Sequence, residues 1–93
     1  MKTTHITLKL TPDELHDIAF AMEQYVTSMA KSGADLDDVK GELDILQHFI
    51  NHHSYYLDIY SEPDIWNRQE FQDATEWYEA LVEKYKKEKE AGV

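Results

Sequence analysis

Little in this chain can stop a helix. Two prolines and three glycines stand in its 93 residues, and two of these five, Gly33 and Pro63, fall where runs of helically spaced apolar residues end. The first run has a sharp beginning. Thr11-Pro12-Asp13-Glu14 places a hydroxyl at the N-cap, proline at the first helical position and a glutamate where it can reach back to the cap. Leu15, Ile18, Met22, Tyr25 and Met29 then recur at spacings of three and four, giving one apolar stripe. Gly33 supplies a left-handed stop. Asp35 caps a second run, Leu36, Val39, Leu43, Leu46, Ile50, His53, Leu57 and Tyr60, in a heptad-like stripe that predicts a helix as far as Tyr60. The sequence Ser61-Glu62-Pro63-Asp64 breaks it. A third helix starts at Pro63 or at Asn67, with Phe71, Ala74, Tyr78, Leu81 and Tyr85 as its stripe.

Ahead of these helices, Thr4, Ile6, Leu8 and Leu10 alternate with His5, Thr7 and Lys9, the period of a half-buried strand. The expected fold is mainly α: a short N-terminal strand followed by a three-helix bundle (β-α-α-α), with helices at about 12–32, 35–60 and 63/67–89, in a single domain over 1–93. A lone strand leaves an unpaired edge. It can pair with its copy in a homodimer through residues 3–10, add to a partner's sheet, or lie as an arm over the helices; the homodimer is favoured because it also enlarges a thin core.

Charge narrows the function. Residues 11–80 carry sixteen acidic and three basic residues, a net −13, while the whole chain is −10. Most of the aromatic residues lie in the same stretch, and hydrophobic residues make up 42% of the chain, too many for an acidic disordered tail. The result is a folded body with an anionic coat, which repels nucleic acid and anionic membrane and attracts basic surfaces. No apolar run is long enough for a transmembrane segment or a secretory signal, so a soluble, cytoplasmic protein of a bacterial host is expected. The chain has no cysteine, which excludes disulfides and thiolate zinc sites. It also lacks a serine elbow and a phosphate-binding glycine loop, and the reading is non-enzymatic.

Two groups of residues are candidates for contact with other molecules. The acidic density of Asp35, Asp37, Asp38 and Glu42, with the aromatic and acidic mixture of Tyr55, Tyr56, Asp58, Tyr60, Glu62, Asp64 and Trp66, forms the candidate partner-binding surface. Tyrosine and tryptophan anchor interfaces because they bury large area at low entropic cost. The second group is Asp44, His48 and His52, which project from one helix face at four-residue spacing. These are acceptable zinc ligands, with His53, His16 or another chain as the fourth; apart from zinc at this site, no cofactor is expected. The alternative is an ordinary polar helix face. His53 itself falls in the apolar stripe and is expected as a hydrogen-bonded core or interface histidine.

The start His5-Ile6-Thr7-Leu8-Lys9-Leu10-Thr11-Pro12-Asp13-Glu14-Leu15 resembles the strand and first-helix start of ribbon-helix-helix DNA-binding proteins. That resemblance implies a dimer whose paired strands place His5, Thr7 and Lys9 in the major groove. The chain departs from that pattern in its long first helix, in Asp35 where phosphate is normally bound, and in its acidic body. In size, charge and layout the whole chain is similar to small acidic helical inhibitor proteins encoded by phages and prophages, anti-CRISPR proteins among them. That similarity implies a DNA-mimicking protein that occupies a basic, nucleic-acid-binding surface of another protein. A dimeric transcriptional regulator is the alternative reading, and a His-based metal site a further one.

Overall fold

The computed structural model describes residues 7–59 and 69–92. Helix α1 spans Pro12–Lys31, a 3-10 turn at Leu36–Val39 leads into α2 at Lys40–His53, strands β1 at Leu57–Ile59 and β2 at Gln69–Phe71 follow, and α3 runs Ala74–Ala91. The described residues are thus mainly helical, with three α-helices and one small two-stranded sheet. Helix α1 packs against both α2 and α3, and the ribbon packs on α3.

The start and end of α1 obey local chemistry. The Thr11 N–H donates to Glu14 Oε1 at 3.0 Å, and the Glu14 N–H donates to Thr11 Oγ1 at 3.1 Å, closing the capping box. Those bonds stabilise the ionised carboxylate and hold Glu14 below its ordinary pKa. At the other end Gly33 adopts φ 77°, and its N–H reaches Ala30 C=O at 3.1 Å while the Ala34 N–H reaches Met29 C=O at 3.0 Å. That pair of bonds is a Schellman stop, which needs a left-handed residue at Gly33. The next turn is tied down by the Asp35 N–H, which donates to Asp38 Oδ2 at 3.3 Å.

Four features differ from the sequence expectation. Helix α1 buries Ala19, Glu23, Val26 and Ala30 most fully; of the expected stripe, Met22 and Met29 pack partly buried against the core, while Ile18 and Tyr25 stay 41% and 48% exposed. It is turned by about a quarter of a revolution from the expected face. The small side chains of Ala19 and Ala30 face the core, which holds the bulky Trp77 and Tyr78 of α3.

Helix α2 stops at His53, not Tyr60, because Ser54 takes a left-handed conformation at φ 51°, ψ 36° and turns the chain. Leu57 still fills the core position its spacing predicted, but from a strand. The run Tyr55-Tyr56-Leu57-Asp58-Ile59 is rich in residues that favour strands. It pairs antiparallel with β2 in the register Leu57↔Phe71, Asp58↔Glu70 and Ile59↔Gln69.

Helix α3 begins at Ala74 rather than at 63 or 67. Asp73 is its cap, with Oδ1 accepting from the N–H groups of Thr75 (2.9 Å) and Glu76 (3.1 Å). Gln47 on α2 fixes the same junction from outside. Its Nε2 donates to Gln72 C=O and its Oε1 accepts from the Ala74 N–H, each at 2.8 Å.

Residues 7–10 form no strand; they lead into α1 without a ladder partner among the described residues, and Leu8 is 70% exposed. The rest of the expected N-terminal strand lies outside the described residues. The only sheet among the described residues is the β1–β2 ribbon.

The core joins Val26 and Ala30 of α1, Leu43 and Leu46 of α2, Leu57 of β1, and Trp77, Tyr78 and Leu81 of α3. Trp77 is the largest fully buried side chain among the described residues and donates its indole N–H to Asp58 C=O at 3.2 Å. Trp77→Ala is expected to lower the unfolding free energy by about 3–5 kcal/mol and Asp73→Ala by about 1 kcal/mol, both measured by urea denaturation.

Candidate binding cleft

The turn at Ser54 brings the chain back across the N-terminal half of α1 and opens a cleft of about 570 Å³ between them. Leu10, Leu15, Phe20 and Tyr56 give it apolar walls, while Glu23, Asp58, His16 and His53 supply its polar groups. Phe20 and Tyr56 remain about half exposed, at 48% and 50%, whereas Glu23 and Asp58 are 8% and 9% exposed. The cleft therefore has an aromatic rim over a floor that contains two carboxyl groups.

Glu23 sits on the buried face of α1, one helical turn after Ala19 and one before Val26. The Tyr55 hydroxyl donates to Glu23 Oε2, and the ring of His16 meets that of Tyr55 edge-on at 5.4 Å and 73°. Burial pushes the Glu23 carboxyl above its ordinary pKa of 4.5; the Tyr55 hydrogen bond opposes this, the nearby Asp58 charge adds to it, and His16 opposes it. Asp58 is positioned by the ribbon and by the bond from Trp77 to its carbonyl. Its cross-strand partner is Glu70, so two acids stand opposite each other on one face of the ribbon, a pairing that disfavours the sheet.

The residues singled out from sequence divide between two places. Tyr55, Tyr56 and Asp58 line this cleft, and both tyrosines also line a second hollow of about 490 Å³ beside Asn51 and Gln72. Asp35, Asp37 and Asp38 are exposed around the 3-10 turn, and Glu42 is half-buried in the first turn of α2. The fourteen residues of α2, about 21 Å of helix, lie in the chain between residues 35–38 and Tyr55. Near the first group, the buried Tyr78 hydroxyl donates to Ala34 C=O, and burial together with Asp38 and Asp35 raises its pKa. Tyr60, Glu62, Asp64 and Trp66 lie outside the described residues.

The histidines expected on one helix face do lie together. The rings of His48 and His52 are 4.5 Å apart, and His53 meets both His48 and Phe49 at 6.0 Å. Asp44, His48 and His52 are exposed, and no group of three possible metal ligands converges among the described residues. His53 is exposed at the cleft instead of sitting in the core.

Sequence reasoning did not assign Glu23, Phe20 or His16 to a partner-binding surface. The available signal was a glutamate between Ala19 and Val26 at the spacing of a buried face. The chain matches no protein-family model, no curated protein and no solved structure. Among the described residues, no helix is long and apolar enough to cross a membrane.

Glu23 makes stability depend on pH. Below the ordinary carboxyl range it is protonated in both the folded and the unfolded chain. As pH rises through 4.5, the unfolded chain releases its proton first, so the folded state loses stability until its own carboxyl has ionised. That deficit persists at neutral pH. Glu23→Gln keeps an acceptor for Tyr55 and is expected to melt above the parent protein at pH 7, with the difference vanishing below about pH 4. Thermal melts across that range, read by circular dichroism, check this; a variant less stable than the parent at pH 7 contradicts it.

Proposed function

We propose that this chain is a non-enzymatic interaction protein that binds a basic, nucleic-acid-binding surface of another protein and blocks it, as a phage-type inhibitor or DNA mimic does. The observation that carries the reading is the cleft, which sets two buried carboxyl groups beneath an aromatic rim in a protein of net charge −10. Aromatic walls accept the aliphatic stem of a basic side chain, and the carboxylates receive its charged head. The exposed Asp35, Asp37 and Asp38 do not line the cleft, and in this reading they act by long-range attraction. Such steering raises the association rate and is screened by salt.

The protein is expected to lower DNA occupancy of a host CRISPR effector, restriction enzyme or transcription factor in a competition assay. The triple reversal Asp35→Lys, Asp37→Lys and Asp38→Lys should slow association about tenfold at low salt while changing dissociation little. If DNA occupancy is unaffected for all such proteins, and capture of partners is insensitive to the reversal, the reading is wrong.

A second reading draws on the lead-in to α1, where Leu8 is 70% exposed and Lys9 is exposed beside it. An arm of this kind suits pairing with a second copy, as in a ribbon-helix-helix regulator. Analytical ultracentrifugation should then show a dimer that Leu8→Asp dissociates, and Lys9→Glu should abolish DNA binding. A monomer that produces no salt-dependent shift of genomic DNA removes this alternative.

A further inference from the structure

We infer that the cleft between α1 and residues 55–58 is a receptor for one arginine side chain presented by the partner protein. The inference rests on the reading of the partner as basic and names the group that is recognised. Three observations support it. The cleft is large enough for a whole side chain, at about 570 Å³, and its apolar walls, Leu10, Leu15 and Phe20, suit a methylene stem. The aromatic rim, with Tyr56 half exposed, offers a ring face on which a planar guanidinium can stack. The floor contains Glu23 and Asp58, close enough for the Asp58 charge to act on Glu23.

Asp58 stands opposite Glu70 across the ribbon, and its charge acts on Glu23. An inserted cation is attracted by both Glu23 and Asp58. Guanidinium suits this site better than ammonium, because it is more weakly hydrated, keeps its charge on burial, and can bond to carboxylates through two parallel N–H groups.

Binding is coupled to protons. A cation in the cleft favours ionised Glu23, so complex formation releases a proton wherever free Glu23 is protonated. The other titrating groups that face the cleft are His16, His53, Tyr55 and Asp58. Affinity therefore falls as the solution is acidified through the range in which free Glu23 takes up its proton.

The test is an NMR titration of the intact chain with a seven-residue peptide carrying one central arginine, against the same peptide carrying citrulline, its uncharged isostere. The arginine peptide is expected to shift the amides of Glu23, Tyr56 and Asp58 saturably, and the citrulline peptide to bind at least about tenfold more weakly. Glu23→Gln and Tyr56→Ala should each weaken the arginine peptide several-fold, whereas reversal of Glu88 and Glu90, exposed near the C-terminal end of α3, should leave its affinity within about twofold. Equal binding of the two peptides, shifts centred on residues 35–38, or the absence of saturable shifts would each overturn the inference. Should the protein still displace DNA from an effector while the arginine peptide leaves the cleft unperturbed, the arginine receptor fails and the inhibitor reading stands. Failure of both assays removes both.

Discussion

The placement of Trp77 governs most of what surrounds it. Its indole is almost fully buried, at 1% exposure, and its N–H is bonded to the carbonyl of Asp58. One side chain of α3 therefore fixes both the core and the backbone of β1. The ribbon is only three residues long on each side and has no third strand among the described residues, so it depends on this packing for stability. Gln47 makes the arrangement rigid from the other end, joining α2 to the first residue of α3. Once Trp77 and Gln47 have set α3 and β1, the position of the Asp58 carboxyl in the cleft follows.

Glu23 is the local conflict in an otherwise consistent fold. Every other fully or nearly buried position on the core face of α1 is small and apolar, and an uncharged residue at position 23 would serve the core better. Tyr55 supplies one hydrogen bond in partial compensation, with Asp58 nearby adding further repulsion. Proteins keep such conflicts mainly where a ligand or a reaction uses them. In the proposed complex a guest cation gives this carboxyl a partner of opposite charge.

Local chemistry was legible in the sequence wherever the controlling residues were neighbours. Thr11 with Glu14, Pro12, Gly33 and Asp35 marked their turns correctly because each device is contained within four or five residues. The failures share a cause, which is that tertiary contacts decided between locally similar options. Leu57 satisfies a heptad stripe and a strand equally well, and the left-handed turn at Ser54 carries no glycine to announce it. The stripe from Leu15 to Met29 is larger and more apolar than the face α1 buries, but only small residues at Ala19 and Ala30 allow the helix to sit close beside bulky α3 side chains. Asp73, followed three residues later by Glu76, was a readable cap that the stronger proline signal at Pro63 masked. The site suffered most from this. Tyr55, Tyr56 and Asp58 stood out as an aromatic and acidic mixture, whereas Glu23 and Phe20 join them only through the reversal of the chain after α2.

The chemistry of the cleft turns on the electrostatic state of Glu23, and the carbon-13 resonance of its side-chain carboxyl reports that state directly. In the free protein this resonance should titrate above 4.5, the ordinary value for glutamate, and saturation with the arginine peptide should move its midpoint downward. A carboxyl that titrates at or below its ordinary value in the free protein, or whose midpoint is unmoved by the peptide, would contradict a buried, cation-receiving Glu23.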